Sequence, residues 1–297
     1  MKSAITRAVL ILGLSAFVHP QAAAADPPGS TQWIVTTAKA TGYTGETYES
    51  ALRILNLGLH DAPLRLTFFP QTPLGPDSSA FGDPSAASTV DVVIPAGQKV
   101  SYWNALGLFS RAAGAGAIRI VSTGTDPQGK PIPVSATSMT MTYPAGTVFP
   151  GPAVTGPLIA AQGPDALVGL GEPAAIPFLW LGGDDTFGSY RSNIFLASTN
   201  ADSDTVVRLT LVTNANVSQK SREITLGPLT QTQINNVYGY FEYVPFCPPC
   251  PSDPMGADEV RIEVSVLSGG PVAMGASVID LLNSSSFYVP AVKRPAP

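Results

Sequence analysis

The sequence predicts an all-β protein: two tandem β-sandwich domains behind an N-terminal signal peptide. Three observations carry this prediction. Gly and Pro number 28 and 29 while charged residues are only 12% of the 297, a mixture that interrupts helices and favours short strands joined by turns. Apolar and polar residues alternate in several short runs. And blocks of the first half recur, in order, in the second.

The signal peptide comes first because it must be set aside before any folding argument. Lys2 and Arg7 precede an 11-residue apolar run from Ala8 to Val18, and Gln21-Ala22-Ala23-Ala24-Ala25-Asp26 supplies small residues for cleavage after Ala24 or Ala25. Charge, short apolar core and small-residue site in that order mark residues 1–25 as a secretory leader. Eleven residues at about 1.5 Å each cannot cross roughly 30 Å of hydrocarbon. No later stretch is apolar enough to span a membrane, so a periplasmic or extracellular protein is expected. Removing Lys2 and Arg7 from the 16 basic residues leaves 14 against 21 acidic ones, near −7. That balance argues against a nucleic-acid partner. The 44% hydrophobic content supplies enough apolar surface for a core.

The duplication sets the domain boundaries at residues 30–152 and 174–292, with a Gly/Pro-rich linker at 153–173. Glu46 to Asn56 recurs as Gly188 to Ser198, and Leu64-Arg65-Leu66-Thr67-Phe68 as Val207-Arg208-Leu209-Thr210-Leu211. Ile94 to Phe109 matches Leu226 to Phe241 without a gap, with Asn104/Asn236, Gly107/Gly239 and Phe109/Phe241 identical. Ile118-Arg119-Ile120 answers Val260-Arg261-Ile262, and Val134 to Met139 answers Ala273 to Val278. Leu64, Leu66 and Phe68 alternate with Arg65 and Thr67, and Val260, Ile262 and Val264 with Arg261 and Glu263. These are strands with one face buried and one wet. Tyr102 to Phe109 and Ile234 to Phe241 are less strand-like and are expected to be turns or short helices crossing between sheets. The copies differ most in the Pro/Gly/Ser-rich loop before Ile94 and in the insertion between Phe241 and Val260.

The motifs Tyr190-Arg191-Ser192-Asn193-Ile194, Ala276-Ser277-Val278-Ile279-Asp280 and Tyr288-Val289-Pro290-Ala291 resemble a repeat in uncharacterised secreted bacterial proteins with tandem immunoglobulin-like β-sandwiches. The first copy departs from it: Tyr48-Glu49-Ser50-Ala51-Leu52 lacks the Arg and Asn, and Ser138-Met139-Thr140 lacks the Asp. The resemblance implies an immunoglobulin-like fold and an extracytoplasmic setting, and no chemistry, because one sandwich hosts many functions.

The chemical candidates are few. Cys247-Pro248-Pro249-Cys250 is expected to be a small-loop disulfide in an oxidising compartment. Its prolines oppose the helix whose N-terminus activates redox Cys-x-x-Cys pairs. A zinc site lacks two further ligands, because His60 is the one histidine outside the leader. His60 lies in a turn, and neither a Gly-x-Ser-x-Gly elbow nor a His-Glu-x-x-His helix is present. Asn200-Ala201-Asp202-Ser203-Asp204 has oxygens at alternate positions, but Thr205 and Leu211 stand where a calcium loop needs Gly and Glu, so a hairpin turn is expected. Asp184-Asp185 is a second acidic loop. No catalytic, metal or cofactor site is assigned. The expected function is a non-catalytic binding or structural module for a protein or glycan. The alternatives are an extracytoplasmic hydrolase or thiol-disulfide enzyme, or a two-domain periplasmic chaperone that captures a client strand.

Overall fold

The computed structural model describes residues 31–41, 45–72, 87–144, 154–182, 190–213, 218–242, 257–280 and 286–294. The chain is all-β, with one short α-helix among the described residues. Strands β1 (Thr31–Thr41), β2 (Thr47–Asn56), β3 (Ala62–Pro70), β4 (Ser88–Ile94), β5 (Lys99–Tyr102), β6 (Gly114–Ser122), β7 (Val134–Tyr143) and β8 (Val154–Ala160) form an 8-stranded sheet. Strands β9 (Ala174–Gly182), β10 (Tyr190–Ser198), β11 (Thr205–Thr213), β12 (Ser218–Leu226), β13 (Gln231–Ile234), β14 (Ala257–Ser268), β15 (Val272–Asp280), β16 (Ser286–Pro290) and β17 (Val292–Lys293) form a 9-stranded one. Helix α1 spans Val237–Phe241, and a 3-10 turn spans Leu106–Phe109. Both lie in segments expected to cross between sheets.

The first sheet runs β4-β3-β6-β1-β2-β7-β8 with β5 added to β2, and the second runs β12-β11-β14-β9-β10-β15-β16 with β13 added to β10. Adding eight to each number in the first order gives the second. In each half the sheet curls over its own core. Leu52 and Ile54 of β2 share one apolar cluster with Leu64, Leu66 and Phe68 of β3, although two strands separate β2 from β3 in the order. Only a sheet folded back on itself brings those faces together, which gives a sandwich-like packing of layers.

The ladders align the halves residue by residue. Leu52 faces Tyr102 as Ile194 faces Ile234, and Arg65 faces Asp91 as Arg208 faces Glu223. Both first strands break register at one place: β1 between Ile34 and Thr37, β9 between Ile176 and Leu179. Ser50 Oγ accepts from Ala38 N–H at 2.8 Å, and Ser192 Oγ donates to the Trp180 carbonyl at 2.8 Å, so strand two is stitched to strand one at the same rung.

Two sequence alignments shift. Phe68 faces Ile118 and Leu211 faces Ile262, so Ile118 corresponds to Ile262, not to Val260. A two-residue slip keeps every side chain on its face, and alternation alone cannot detect it. Asn56 faces Val134 and Ser198 faces Val272, so Val134 corresponds to Val272 rather than Ala273. Every residue from Val272 to Val278 is buried, which leaves β15 no wet side to fix its register.

The segment expected to be a linker carries secondary structure. Residues 154–160 form β8 on β7, Pro164–Ala166 form a 3-10 turn, and Val168 exchanges both backbone hydrogen bonds with Val272. Gly156 and Pro157 suit an edge strand. A Cβ on Gly156 would lie 2.3 Å from the Thr140 carbonyl oxygen, and a proline costs no ladder bond at an edge.

A third apolar cluster joins the halves. Trp33 and Val35 of β1, Phe69 of β3 and Ala117 of β6 pack with Phe195 and Ala197 of β10 and Ala273 of β15. Trp33 and Phe69 stack with ring centroids 5.5 Å apart, and the Arg119 guanidinium lies over both rings.

Candidate functional site

Asn56 closes β2 with its side chain buried, and it fixes one loop end of the first half. Its Nδ2 donates to the carbonyls of His60 at 2.8 Å and Ile94 at 2.9 Å, and its Oδ1 accepts from Gly58 N–H at 2.8 Å. Its own N–H donates to the Gln98 carbonyl, and the next residue, Leu57, donates to Pro133. Asp61 Oδ1 accepts from Ala96 N–H at 3.0 Å. Asn56 thus ties the turn at 57–61 to the 94–98 segment, and the Leu57 N–H adds the segment at 131–133. A Cβ on Gly58 would meet the Ile132 side chain at 2.7 Å, so the turn accepts only glycine there without displacing its neighbour. Leu57 and Leu59 project from this frame, Leu59 at 91% exposure, with His60 exposed beside them. The result is a rigid apolar knuckle with a polar rim. It offers contact surface; Asp61, the carboxylate next to His60, is engaged by the main chain.

The remaining sequence candidates fall as follows. Cys247, Cys250 and Asp184-Asp185 lie outside the described residues. Asn200 to Asp204 is a turn closed by its own side chains: Asn200 Oδ1 accepts from Asp202 N–H at 3.2 Å, and Asn200 Nδ2 donates to Ser203 Oγ at 2.7 Å. Among the described residues no group of three His, Cys, Asp or Glu side chains is placed to hold a metal ion. Asn104 and Asn236 do one job in both halves. Each accepts from the N–H of the glycine three residues on, Gly107 at 2.8 Å and Gly239 at 3.4 Å. Phe109 and Phe241 then turn into their respective cores. Asn193 has a structural partner as well: its Oδ1 accepts from Asn236 N–H at 3.1 Å, holding α1 to β10.

Two arrangements were not anticipated from sequence. Gln162 belongs to both sheets. Its backbone N–H and carbonyl pair with those of Trp33, both at 2.8 Å, while its side-chain Nε2 donates to the Met274 carbonyl at 2.6 Å and its Oε1 accepts from Met274 N–H at 3.0 Å. The amide side chain takes the rung that β16 vacates at Pro290. The second arrangement centres on Tyr48. Burial, then the Glu46 carboxylate that accepts its hydroxyl at 2.7 Å, push its pKa up to about 12, and Arg191 of β10 opposes them. Exposed carboxylates show the reverse: a hydrogen bond from Arg65 holds Asp91 low, and Gly169 N–H and then Lys293 hold Glu172 low.

The fold defines the chain only as an all-β protein with sandwich-like packing. No family model matches it, and no curated protein does. Among solved structures a chain titled "Structure of infectious bursal disease virus Gx strain" aligns at 10% identity over 89% of this chain and 66% of that one, with a TM-score of 0.18. A score that low carries no argument about fold or function.

Proposed function

We propose that this is a non-catalytic extracytoplasmic module of two tandem immunoglobulin-like sandwiches that presents the Asn56-braced loop end to a protein or glycan. The observation that carries the reading is that brace. A buried asparagine ties the 57–61 turn to the 94–98 segment and leaves Leu57 and Leu59 projecting. Binding surfaces are characteristically loops fixed on a rigid scaffold, and pre-ordering lowers the entropic cost of association. The matching strand orders and registers favour a duplicated domain. The leader at residues 1–25 favours export, and an oxidising compartment favours a Cys247–Cys250 disulfide. No helix among the described residues is long and apolar enough to cross a membrane.

The test has two arms. Purified protein is screened against glycan and peptide arrays beside a Leu59→Asp variant; binding that survives the substitution places the site elsewhere. The same protein is assayed for hydrolase and disulfide-exchange turnover. Turnover that disappears with His60→Ala or Cys247→Ser overturns the non-catalytic reading.

A further inference from the structure

The contact between the halves is heterologous, since two different faces meet. The first half contributes the outer side of β1, β3 and β6; the second contributes the outer side of β10 and β15. A heterologous contact between repeats leaves one unused copy of each face, and such contacts propagate unless something blocks them. The unused counterpart of β10/β15 is the outer side of β2/β7 around Arg53 and Leu55, since the far end of that side, at Ala51, Met141 and Tyr143, is already buried. The unused counterpart of β1/β6 is the outer side of β9/β14.

Those two faces carry exposed apolar residues at positions that are closed off inside the chain. Ladder register pairs Leu55 with Ala197 as counterparts: Ala197 is 1% exposed and Leu55 is 36%. It pairs Leu158 with Tyr288, which packs into the seam, whereas Leu158 is 44% exposed. On the other face Val292 faces Ala175 as Gln162 faces Trp33; Gln162 is 6% exposed and Val292 is 53%. Phe178 holds the bulge position of Thr36, with 61% exposure against 6%. Solvated repeat ends normally carry polar residues at such places. Here each position has a larger apolar side chain than solubility requires.

We infer that this chain associates head to tail with further copies of itself, the β2/β7 face of one molecule receiving the β9/β14 face of the next. The inference rests on reading the halves as equivalent repeats. Leu55 and Leu158 meet Phe178 and Val292 at the joint. Arg53 and Lys99 on the first face restrict what else docks there, since a partner must leave both cations solvated or paired.

The test is sedimentation equilibrium of the whole purified protein from about 10 μM to about 1 mM, a range that captures weak association. Wild type is expected to grow in mass with concentration. Leu158→Glu and Val292→Glu, each at an exposed position and checked for an unchanged melting temperature, are expected to stay monomeric alone. Mixed in equal amounts they form a dimer and nothing larger, because each retains the face the other has lost. A wild-type protein that is monomeric throughout, variants that associate like wild type, or a mixture that remains monomeric each overturns the inference. Halves that fail to superpose in a crystal structure instead remove the repeat reading beneath it.

Discussion

Replacing Gln162 with alanine tests the claim that a side-chain amide acts as a rung of the second sheet. The substitution leaves the backbone pairing with Trp33 intact and removes three contacts: Nε2 to the Met274 carbonyl, Nε2 to the Tyr288 hydroxyl, and Oε1 from Met274 N–H. The Met274 carbonyl keeps the Tyr288 hydroxyl at 3.4 Å, so its loss is partial. The Met274 N–H, buried in a seam where Gln162 is 6% exposed, keeps no partner. An orphaned buried donor costs about 1–3 kcal/mol and a lost net hydrogen bond about 1 kcal/mol. The expected destabilisation is therefore about 2–4 kcal/mol. Urea unfolding followed by fluorescence measures it, because Trp33 sits in the seam, Trp180 in the second half and Trp103 on the first half's surface. Trp33 emission is expected to shift red before the Trp180 signal changes. Gln162→Glu is expected to be the more damaging substitution at neutral pH, since its carboxylate faces the Met274 carbonyl, and to recover as acid protonates it. A loss below about 0.5 kcal/mol for Gln162→Ala refutes the argument.

Asn104→Ala and Asn236→Ala each remove one hydrogen bond to a turn N–H and are expected to cost about 1 kcal/mol. Asn236 also holds a left-handed backbone, φ 56°, which alanine tolerates less well than asparagine, so Asn236→Ala is expected to cost at least as much as Asn104→Ala, and chemical denaturation resolves the order. Tyr48 supplies a pH signature. Its folded pKa of about 12 lies above the ordinary value of 10.0, so its contribution to stability is complete below pH 10 and lost as pH rises through 12. Tyr48→Phe is expected to flatten the fall in stability over that window; an unchanged profile assigns the loss to other groups.

The alternating strands were legible in the sequence. Arg65 and Arg208 stand out as polar residues within apolar runs, and each meets a carboxylate on the neighbouring strand. Asn-x-x-Gly-x-Phe was legible as a repeated unit because its parts act together: amide to N–H, then an aromatic into the core. The Asn56 brace was not legible. Its partners are main-chain groups, which carry no residue identity, and its counterpart Ser198 instead meets the hydroxyl of Thr205 at 3.2 Å. Gln162 was hidden by its surroundings, since Gly and Pro on an edge strand read as a linker.

One signal of the joint was present all along. Strands wet on one side alternate, as β4 does, with Thr89, Asp91 and Val93 exposed between less exposed neighbours. In β1 the residues from Gln32 to Thr37 are all buried; in β10 those from Ser192 to Ser198 are, and in β15 those from Val272 to Val278. An unbroken apolar run in an antiparallel sheet requires cover on both sides. One side of each strand faces its own core, so the other must face something else. Trp33-Ile34-Val35 and Ile194-Phe195-Leu196-Ala197 are such runs, and they are the strands that meet. Their counterparts obey the same logic in reverse. Arg53 stands where Phe195 does and Glu263 where Arg119 does, so the unused faces carry formal charge as well as apolar surface. That mixture suits a contact that forms and dissolves with concentration, whereas the buried aromatic Trp33–Phe69–Phe195 seam, with the Arg119 guanidinium laid over its rings, suits a permanent one.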